Sequence, residues 1–437
     1  MASYVVNTKE QRKEMLTEAG LNEKSFYASI PDSVKLDRPL NLPSGISEME
    51  VLRHMKKLAG KNTVYDVILR GAGSESHFIP AVVRQLSSRA EFVTAYTPYQ
   101  AEFSQGILQS IFEYQSSICA LTGMDACNAS VYDGASSVAE AVNMTGERKR
   151  TIALLPKSIH PETLETVKTY TQWLPITLQT VELRDGKIDV EHLKTILTPE
   201  TACLVIQQPN FFGILEDVEG LAKLVHDAGG KVIVVANPMT LGALKSPREQ
   251  GADIACGEAQ PLGMPMAFGG PYLGYMATTM DLVRRLPGRI VGQTVDLDGK
   301  RAFVLTLQAR EQHIRREKAS SSICSNQAHC ALTAGMYLAA LGPQGLHDVA
   351  IQCTSKAHYL FNQLSTLGFN LRFPSAFFHE FVTDGPLTAR KIEEVLGKEG
   401  ILSGLPLDEH GVLWCVTETS TKRDLDRVVS ILKEAIV

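Results

Sequence analysis

The sequence predicts an α/β fold with a mostly parallel central sheet flanked by helices, followed by a smaller α+β domain at the C-terminal end. Two patterns predict this fold. Short apolar segments rich in Val, Ile, Leu and Thr alternate with amphipathic segments in the middle of the chain. Shorter strand-like and helix-like segments alternate towards the end. Because 437 residues exceed the usual size of one domain, we expect more than one structural unit.

Residues 1–85 are predicted to form a helical arm and cover. Thr8 and Gln11 have the spacing of a capping box, in which each side chain bonds to the other residue's backbone N–H at the start of a helix. After a Pro-rich turn segment, SEMEVLRHMKKLAG has the period of an amphipathic helix. We therefore assign this region to the periphery of the molecule.

Residues 86–325 are predicted to form a large α/β domain. The strand candidates are TIALLP, ITLQTVEL, TACLVIQQ, KVIVVA, ADIAC and YLGYMAT. Between two of them, EDVEGLAKLVHDAGG predicts an amphipathic helix that ends at a Gly pair. A strand–helix–strand unit places its strands parallel in one sheet, so we expect helices on both faces of that sheet. REQHIRREKA, from residue 310, predicts a return to helix.

Residues 326–437 are predicted to form the small C-terminal α+β domain. Two helical patterns, RKIEEVLGKEG and KRDLDRVVSILKEAIV, lie on either side of the strand-like segment LWCVTE.

Composition excludes several classes of function. A net charge of −5 and a pI near 6.2 argue against a nucleic-acid partner, because phosphate binding needs concentrated Lys and Arg. No apolar run approaches the ~20 residues that span a bilayer, and the first residues lack the pattern of a signal peptide. The eight cysteines form no CxxC pair and no zinc-type cluster. We expect a cytoplasmic protein with reduced thiols, no membrane partner and no metal.

Ligands of parallel sheets bind at the carboxyl ends of the strands, and three segments there are candidates for a site. In VYDGASSVAEAV, Gly134 opens a helix whose N-terminus suits a phosphate or carboxylate, although an ordinary tight turn explains it equally well. Asn237 ends the strand KVIVVA. The loop after ADIAC carries Gln260, and there is no lysine between Lys245 and Lys300.

Two further segments are rich in functional groups. The loop TAYTPYQAE has more polar and aromatic residues than a connector needs, which favours a pocket wall; its candidates are Tyr96, Tyr99, Gln100 and Glu102. QAREQHIRREK contributes Arg310, His313 and Arg316. It is either a solvated charged helix or a face that binds an anion or a partner, since guanidinium groups suit carboxylates and phosphates.

Five ordered motifs together carry a resemblance to a known family: TAYTPYQAEFSQGILQSIFEYQS, YDGASSVAEA, GADIACGEAQPLGMPMAFGGPYLGYMAT, LPGRIVGQTVD and QAREQHIRREKASSSICS. Over essentially its whole length the chain resembles the N-terminal half of glycine decarboxylase, the P-protein of the glycine cleavage system. In some bacteria the two halves of this protein are separate subunits, and the length here fits the first. The resemblance implies fold type I of the aminotransferases, which use pyridoxal phosphate (PLP).

The resemblance also implies which role each subunit has. PLP would be held by a second P-protein subunit that carries the lysine, because Gln260 stands near the lysine position and Asn237 replaces the usual acid. The hetero-oligomer would decarboxylate glycine and pass the aminomethyl group to the lipoyl arm of H-protein. The isolated chain would be inactive, and Gly134 and Asn237 would be remnants of a cofactor site. The loop tyrosines, Gln100 and Glu102 would border the shared pocket, and Arg310, His313 and Arg316 would support the interface or the channel entrance.

Two alternatives stay open at this point. One is a structural or regulatory subunit that only stabilises its PLP-bearing partner. A self-sufficient PLP enzyme would have to use Lys157, Lys231 or Lys245, but Lys231 precedes its strand and Lys245 lies before the candidate loop.

Overall fold

The computed structural model describes residues 6–36, 38–95, 97–267, 269–319 and 321–436. The chain divides into two compact units, one up to Thr63 and one from Val64 onward. Among the described residues, no helix is both long enough and apolar enough to cross a membrane.

The first unit contains helices α1 (Lys9–Glu18) and α2 (Glu48–Ala59). The predicted capping box of α1 is present: the Thr8 hydroxyl accepts from the Gln11 N–H, and the Gln11 side chain accepts from the Thr8 N–H. Neither helix contains a buried residue. The two helices of this unit are therefore stabilised by local capping and not by a buried core.

A seven-stranded sheet forms the centre of the second unit. Its members in chain order are β2 (Ala126–Cys127), β3 (Ile152–Pro156), β4 (Thr177–Val181), β7 (Thr201–Gln208), β8 (Lys231–Ala236), β9 (Ile254–Glu258) and β10 (Gly274–Thr278). Their spatial order is β2-β10-β9-β8-β7-β3-β4. Only β10 runs antiparallel to its neighbours, so the predicted mostly parallel sheet is confirmed.

Helices cover both faces of this sheet, as predicted. They are α3 (Ala81–Ser87), α4 (Ala90–Val93), α5 (Gln105–Thr122), α6 (Gly134–Thr145), α7 (Pro161–Thr171), α8 (Val190–Ile196), α9 (Val218–Asp227), α10 (Gln312–Arg315) and α11 (Ala328–Ser365). Alternate residues of the strands join two separate cores. One core includes residues of α5, α9 and α11, and the other includes residues of α6 and α7. A strand that is buried on both faces needs a continuous apolar run, which β7 and β8 supply.

The C-terminal part has its own core around the fully buried Trp414. Its antiparallel sheet has the order β13-β14-β17-β16, with β13 (Asn370–Leu371), β14 (Glu380–Asp384), β16 (Leu405–Pro406) and β17 (Val412–Cys415). Helices α12 (Ala389–Lys398) and α13 (Lys422–Ile436) contribute to the same core. Strand β1 (Val67–Ile68) pairs with β15 (Ile401–Leu402). The domain boundaries after residues 85 and 325 stay predictions.

Two small hairpins complete the strands: β5 (Leu183–Arg184) with β6 (Lys187–Ile188), and β11 (Ile290–Val295) with β12 (Arg301–Thr306).

The prediction of a helix from residue 310 to 319 is wrong. After β12 the chain forms single turns, with α10 limited to four residues. Leu307 and Arg316 both have φ of 54°, a left-handed conformation that interrupts a right-handed helix. Arg310, His313 and Arg316 therefore do not share a regular helical face.

Candidate functional site

A cavity of about 620 Å³ lies at the carboxyl ends of the parallel strands. Gln207, Ala236 and Glu258, each at or near the end of its strand, contribute to its wall. This is the edge where parallel α/β sheets bind ligands. The cavity is therefore the natural candidate site, and all three remnant positions predicted from the sequence lie in or beside it.

Gln260 is fully buried and its amide is engaged by protein groups. Its Oε1 accepts from the Glu75 N–H over 2.9 Å, and its Nε2 donates to the carbonyls of Glu75 (2.9 Å) and Met264 (2.8 Å). An amide makes this exchange with a backbone because it carries both donors and an acceptor. Gln260 thus ties the loop after β9 to the segment around Glu75.

Asn237 contacts the same segment. Its Nδ2 donates to Glu75 Oε1 over 2.8 Å, while its Oδ1 accepts from the Met239 N–H. An aspartate here would place a second carboxylate against Glu75. The amide is therefore required by the local charge, and Asn237 holds the carboxylate of Glu75.

The N-terminus of α6 already binds a carboxylate of the same chain. The Gly134 N–H donates to Glu258 Oε2 over 2.9 Å, and the N-cap Asp133 accepts from the Ser136 N–H. A Cβ on Gly134 would lie 2.7 Å from Cβ of Glu258, so the close approach requires glycine. Burial raises the pKa of Glu258 to about 6, although backbone N–H donors act against the rise. The helix end that was predicted to hold an anion thus binds a carboxylate of the same chain.

The cavity wall is acidic. Five carboxylate residues line it, and its described wall contains no lysine and no arginine: Glu75, Asp133, Glu162, Glu258 and Glu380. PLP needs an amine for its imine and positive or N–H groups for its phosphate. The described wall has no lysine for the imine and no lysine or arginine for the phosphate, so it does not fit covalently held PLP.

Glu75 is the centre of a buried charged network. Its Oε2 lies 3.1 Å from His77 Nε2, and His77 Nδ1 lies 2.8 Å from Glu418 Oε2. Burial opposes ionisation of Glu75, but the neighbouring His379 and His77 hold its pKa well below the usual range. Burial also opposes protonation of His77, but hydrogen bonds with Cys353, Glu418 and Glu75 raise its pKa. His77 therefore lies between two carboxylates that favour its protonated form.

A second cluster joins the two remaining groups of predicted residues. The Arg289 guanidinium lies over the Tyr99 ring, 4.8 Å from its centroid, and pairs with Glu311 Oε2 at 2.5 Å. His313 Nδ1 is 3.4 Å from the same oxygen. Asn326 Nδ2 donates to the Tyr99 hydroxyl over 3.4 Å. Tyr99 and His313, which are far apart in the sequence, are thus brought to one place by Arg289 and Glu311.

The other candidates in these segments are placed differently. Arg310 is half-buried and donates to the Gly288 carbonyl over 2.7 Å. Gln100, Glu102 and Arg316 are exposed to solvent. Tyr96 lies outside the described residues.

Sequence reasoning missed several residues of both clusters. Arg289 stands in the quoted motif LPGRIVGQTVD and Glu258 in GADIACGEAQ, so their motifs were visible but their roles were not. Glu75 and His77 in the segment SESH had no signal, because their partners come from residues 237 to 418.

The three lysines considered for a self-sufficient enzyme are absent from the cavity wall. Each instead pairs with an acid elsewhere: Lys157 with Glu182, Lys231 with Asp253, and Lys245 with Glu219.

The fold and the position of the cavity define a protein of the PLP-dependent aminotransferase fold class. An aspartate aminotransferase from Thermus thermophilus has the same fold, with a TM-score of 0.60 at 14% identity, covering 85% of this chain and 99% of that one. The sequence matches the family described as glycine cleavage system P-protein over residues 2–432. The chain belongs to the glycine cleavage system P-protein family.

Relatives within this family align along their whole length. A probable glycine dehydrogenase (decarboxylating) subunit 1 from Syntrophomonas wolfei is 49% identical and covers 98% of each chain. One from Carboxydothermus hydrogenoformans is 47% identical, covering 98% of this chain and 99% of its own. A crystal structure of a glycine decarboxylase (P-protein) in inhibitor-bound form has a TM-score of 0.92 at 40% identity, covering 99% of this chain and 100% of that one.

Proposed function

We propose that this chain is the first subunit of a two-subunit glycine dehydrogenase (decarboxylating), and that the second subunit holds PLP. The relatives that align over their full length carry this function in their names. When bound, PLP serves as an electron sink for the loss of a carboxyl group from an amino acid. The hetero-oligomer works in the cytoplasm on glycine, and the lipoyl group of H-protein accepts the aminomethyl group.

The observation that supports placing PLP on the second subunit is the buried amide of Gln260. The hydrogen bonds of this amide go to backbone groups of Glu75 and Met264, at distances of 2.8–2.9 Å. Asn237 and Gly134 support the same division, because each is bonded to a glutamate of the chain. Positions that would contact a cofactor instead hold the protein together.

In this proposal the chain contributes to the partner's site through the cluster of Tyr99, Arg289 and Glu311. Arg289 is largely buried at 15% side-chain exposure, and its Nε has no hydrogen-bond partner among the described residues. A guanidinium with an unused donor suits a carboxylate or phosphate supplied from outside the chain. The exposed Gln100 and Glu102 lie in the same loop and would border the shared pocket.

The test is reconstitution from separated subunits. Each chain is purified alone, and release of labelled CO₂ from glycine is measured for each and for the mixture with lipoylated H-protein. The proposal expects activity only in the mixture. Activity of this chain alone would refute the division between the subunits, and an inactive mixture that has assembled would refute the glycine reaction.

The second candidate function is that of a purely structural subunit. It rests on the same observation, that Gln260, Asn237 and Gly134 bond to groups of this chain. It differs in expecting no contribution from the Tyr99 cluster. Substitutions there that change turnover in an intact complex separate the two functions.

A further inference from the structure

Glu75, His379 and Glu380 offer ligand atoms that all lie within 4.8 Å of one another. His379 and Glu380 are consecutive at the start of β14, whereas Glu75 comes from a distant part of the sequence. All three are buried, and all three line the 620 Å³ cavity. One nitrogen and two carboxylate donors therefore converge where protein closes one side and the cavity gives access from the other.

The hydrogen bonding of His379 is incomplete. Its Nε2 lies 3.0 Å from Glu75 Oε1, yet neither ring nitrogen has a hydrogen-bond partner among the described residues. The approach is thus close but badly directed for an N–H···O bond. A buried polar group without a partner destabilises the folded state. Two donor atoms side by side at this separation are arranged like ligands of one ion, since tetrahedral zinc with bonds of about 2.0–2.1 Å holds its ligands roughly 3.3 Å apart.

The charge around the three residues favours a cation. The described wall of the cavity has five carboxylate residues and no lysine or arginine. The nearby His77 lies between Glu75 and Glu418. Glu380 has the Ala72 N–H as its hydrogen-bond donor, at 2.7 Å. Buried carboxylates need paired charge or a metal ion, and a divalent cation would supply the charge.

A neighbouring set, His77, Cys353 and Glu418, also has ligand atoms close together. It differs because both ring nitrogens of His77 face carboxylate oxygens, at 2.8 and 3.1 Å. A histidine that donates from both nitrogens has no lone pair for a metal. This set instead orients Glu75 from behind, as outer partners of metal ligands do.

We propose that Glu75, His379 and Glu380 form a binding site for a divalent transition-metal ion, with Zn²⁺ as the ion that best suits one imidazole and two carboxylates. Water from the cavity completes the coordination. The ion joins the segment around Glu75 to β14 and gives His379 the partner that it lacks. The ligands are too far apart in the sequence for their spacing to indicate a metal site. The site is independent of which subunit holds PLP.

The test uses the full-length chain, stripped of metal with a chelator and titrated with Zn²⁺ by calorimetry and with Co²⁺ by visible absorbance. We expect one equivalent of each ion and a Co²⁺ spectrum typical of nitrogen and oxygen ligands. His379→Asn and Glu380→Gln should each weaken binding at least about tenfold. His54→Asn, a matched histidine substitution on the exposed helix α2, is the control and should leave the affinity unchanged.

The proposal is overturned by binding well below one equivalent, by undiminished binding in both ligand variants, or by equal loss in His54→Asn. Circular dichroism checks that the variants fold. If they do not, crystals of the unaltered chain soaked in Zn²⁺ decide the question. An anomalous peak between the three side chains supports the site, and its absence refutes it. Because no arm measures glycine turnover, failure here is distinguishable from failure of the proposed function.

Discussion

The side chain of Gln260 and the backbone of Glu75 form a reciprocal pair of hydrogen bonds, each 2.9 Å long. Asn237 binds the carboxylate of the same Glu75. Two positions that the sequence marks as altered cofactor positions thus converge on one residue. The cavity has kept its place at the edge of the sheet, while Gln260 and Asn237 bond to Glu75.

Gln260→Lys should destabilise the chain and should not create a PLP site. The lysine loses the acceptor for the Glu75 N–H and places an ammonium in a fully buried position. We expect a loss of about 2–4 kcal/mol in the free energy of unfolding, measured by urea denaturation. Gln352→Lys, on the exposed face of α11, is the control and should change it little. A stable variant that forms an imine with PLP would contradict the account.

Asn237→Asp should also be destabilising, through charge. The substitution replaces a donor to Glu75 by a carboxylate at about the same short distance. We expect a loss of about 2–4 kcal/mol at neutral pH, because a second carboxylate would repel the buried Glu75 and a hydrogen bond is lost. In a double-mutant cycle, Glu75→Gln should recover part of the loss. Additive effects of the two substitutions would show that the residues are not coupled.

Glu140→Gln should stabilise the chain at high pH. Burial raises the pKa of Glu140 to about 7 from 4.5, against the hydrogen bond from Ser321. A raised pKa in the folded state favours folding below the unfolded value, and this advantage is lost as pH rises through the folded value. The gain of the variant over the unaltered chain should therefore be small below pH 4.5, grow between pH 4.5 and about 7, and level off above. At about 1.4 kcal/mol per unit, its upper bound is about 3 kcal/mol.

Ser321→Ala should destabilise the chain at high pH, which is the opposite of the effect expected for Glu140→Gln. It removes the hydroxyl that donates to Glu140 over 2.8 Å, so the ionised carboxyl loses this hydrogen bond. Unfolding at pH 8 should require about 1–2 kcal/mol less, with little change at pH 4. Equal losses at both pH values would mean that the hydroxyl does not act through the charge of Glu140.

Tyr99→Phe should lower glycine turnover in the assembled complex. The ring under Arg289 is kept, while the hydroxyl that accepts from Asn326 is lost. One hydrogen bond of about 0.5–1.5 kcal/mol corresponds to a fall of roughly 2- to 10-fold in kcat/KM. Tyr96→Phe tests the second tyrosine of this loop in the same assay. Tyr359→Phe, in the C-terminal part, is the control. If no substitution in residues 94–105 changes turnover while assembly stays intact, the structural-subunit alternative is favoured.

Much of the central fold could be predicted from local pattern. β7 and β8 coincide with the predicted segments TACLVIQQ and KVIVVA, because strands buried on both faces need continuous apolar runs. The segment after residue 310 could not be predicted from its period. Its charged residues recur at helical spacing, but Leu307 and Arg316 adopt left-handed conformations. The same segment also makes tertiary contacts, such as the ion pair between Arg289 and Glu311.

The site was predictable only where a residue follows a strand. Asn237 and Gln260 follow β8 and β9, so their place at the sheet edge was visible in the sequence. The roles of Glu75 and Arg289 were not, because each depends on partners far away in the chain. A charge network across such separations leaves no spacing pattern.

The most direct test of the central claim is covalent trapping of PLP. This chain and its partner subunit are incubated separately with PLP, reduced with borohydride and weighed by intact-mass spectrometry. The account predicts no stoichiometric adduct on this chain and one adduct on the partner. A stoichiometric adduct on a single lysine of this chain would contradict it and place the cofactor site here.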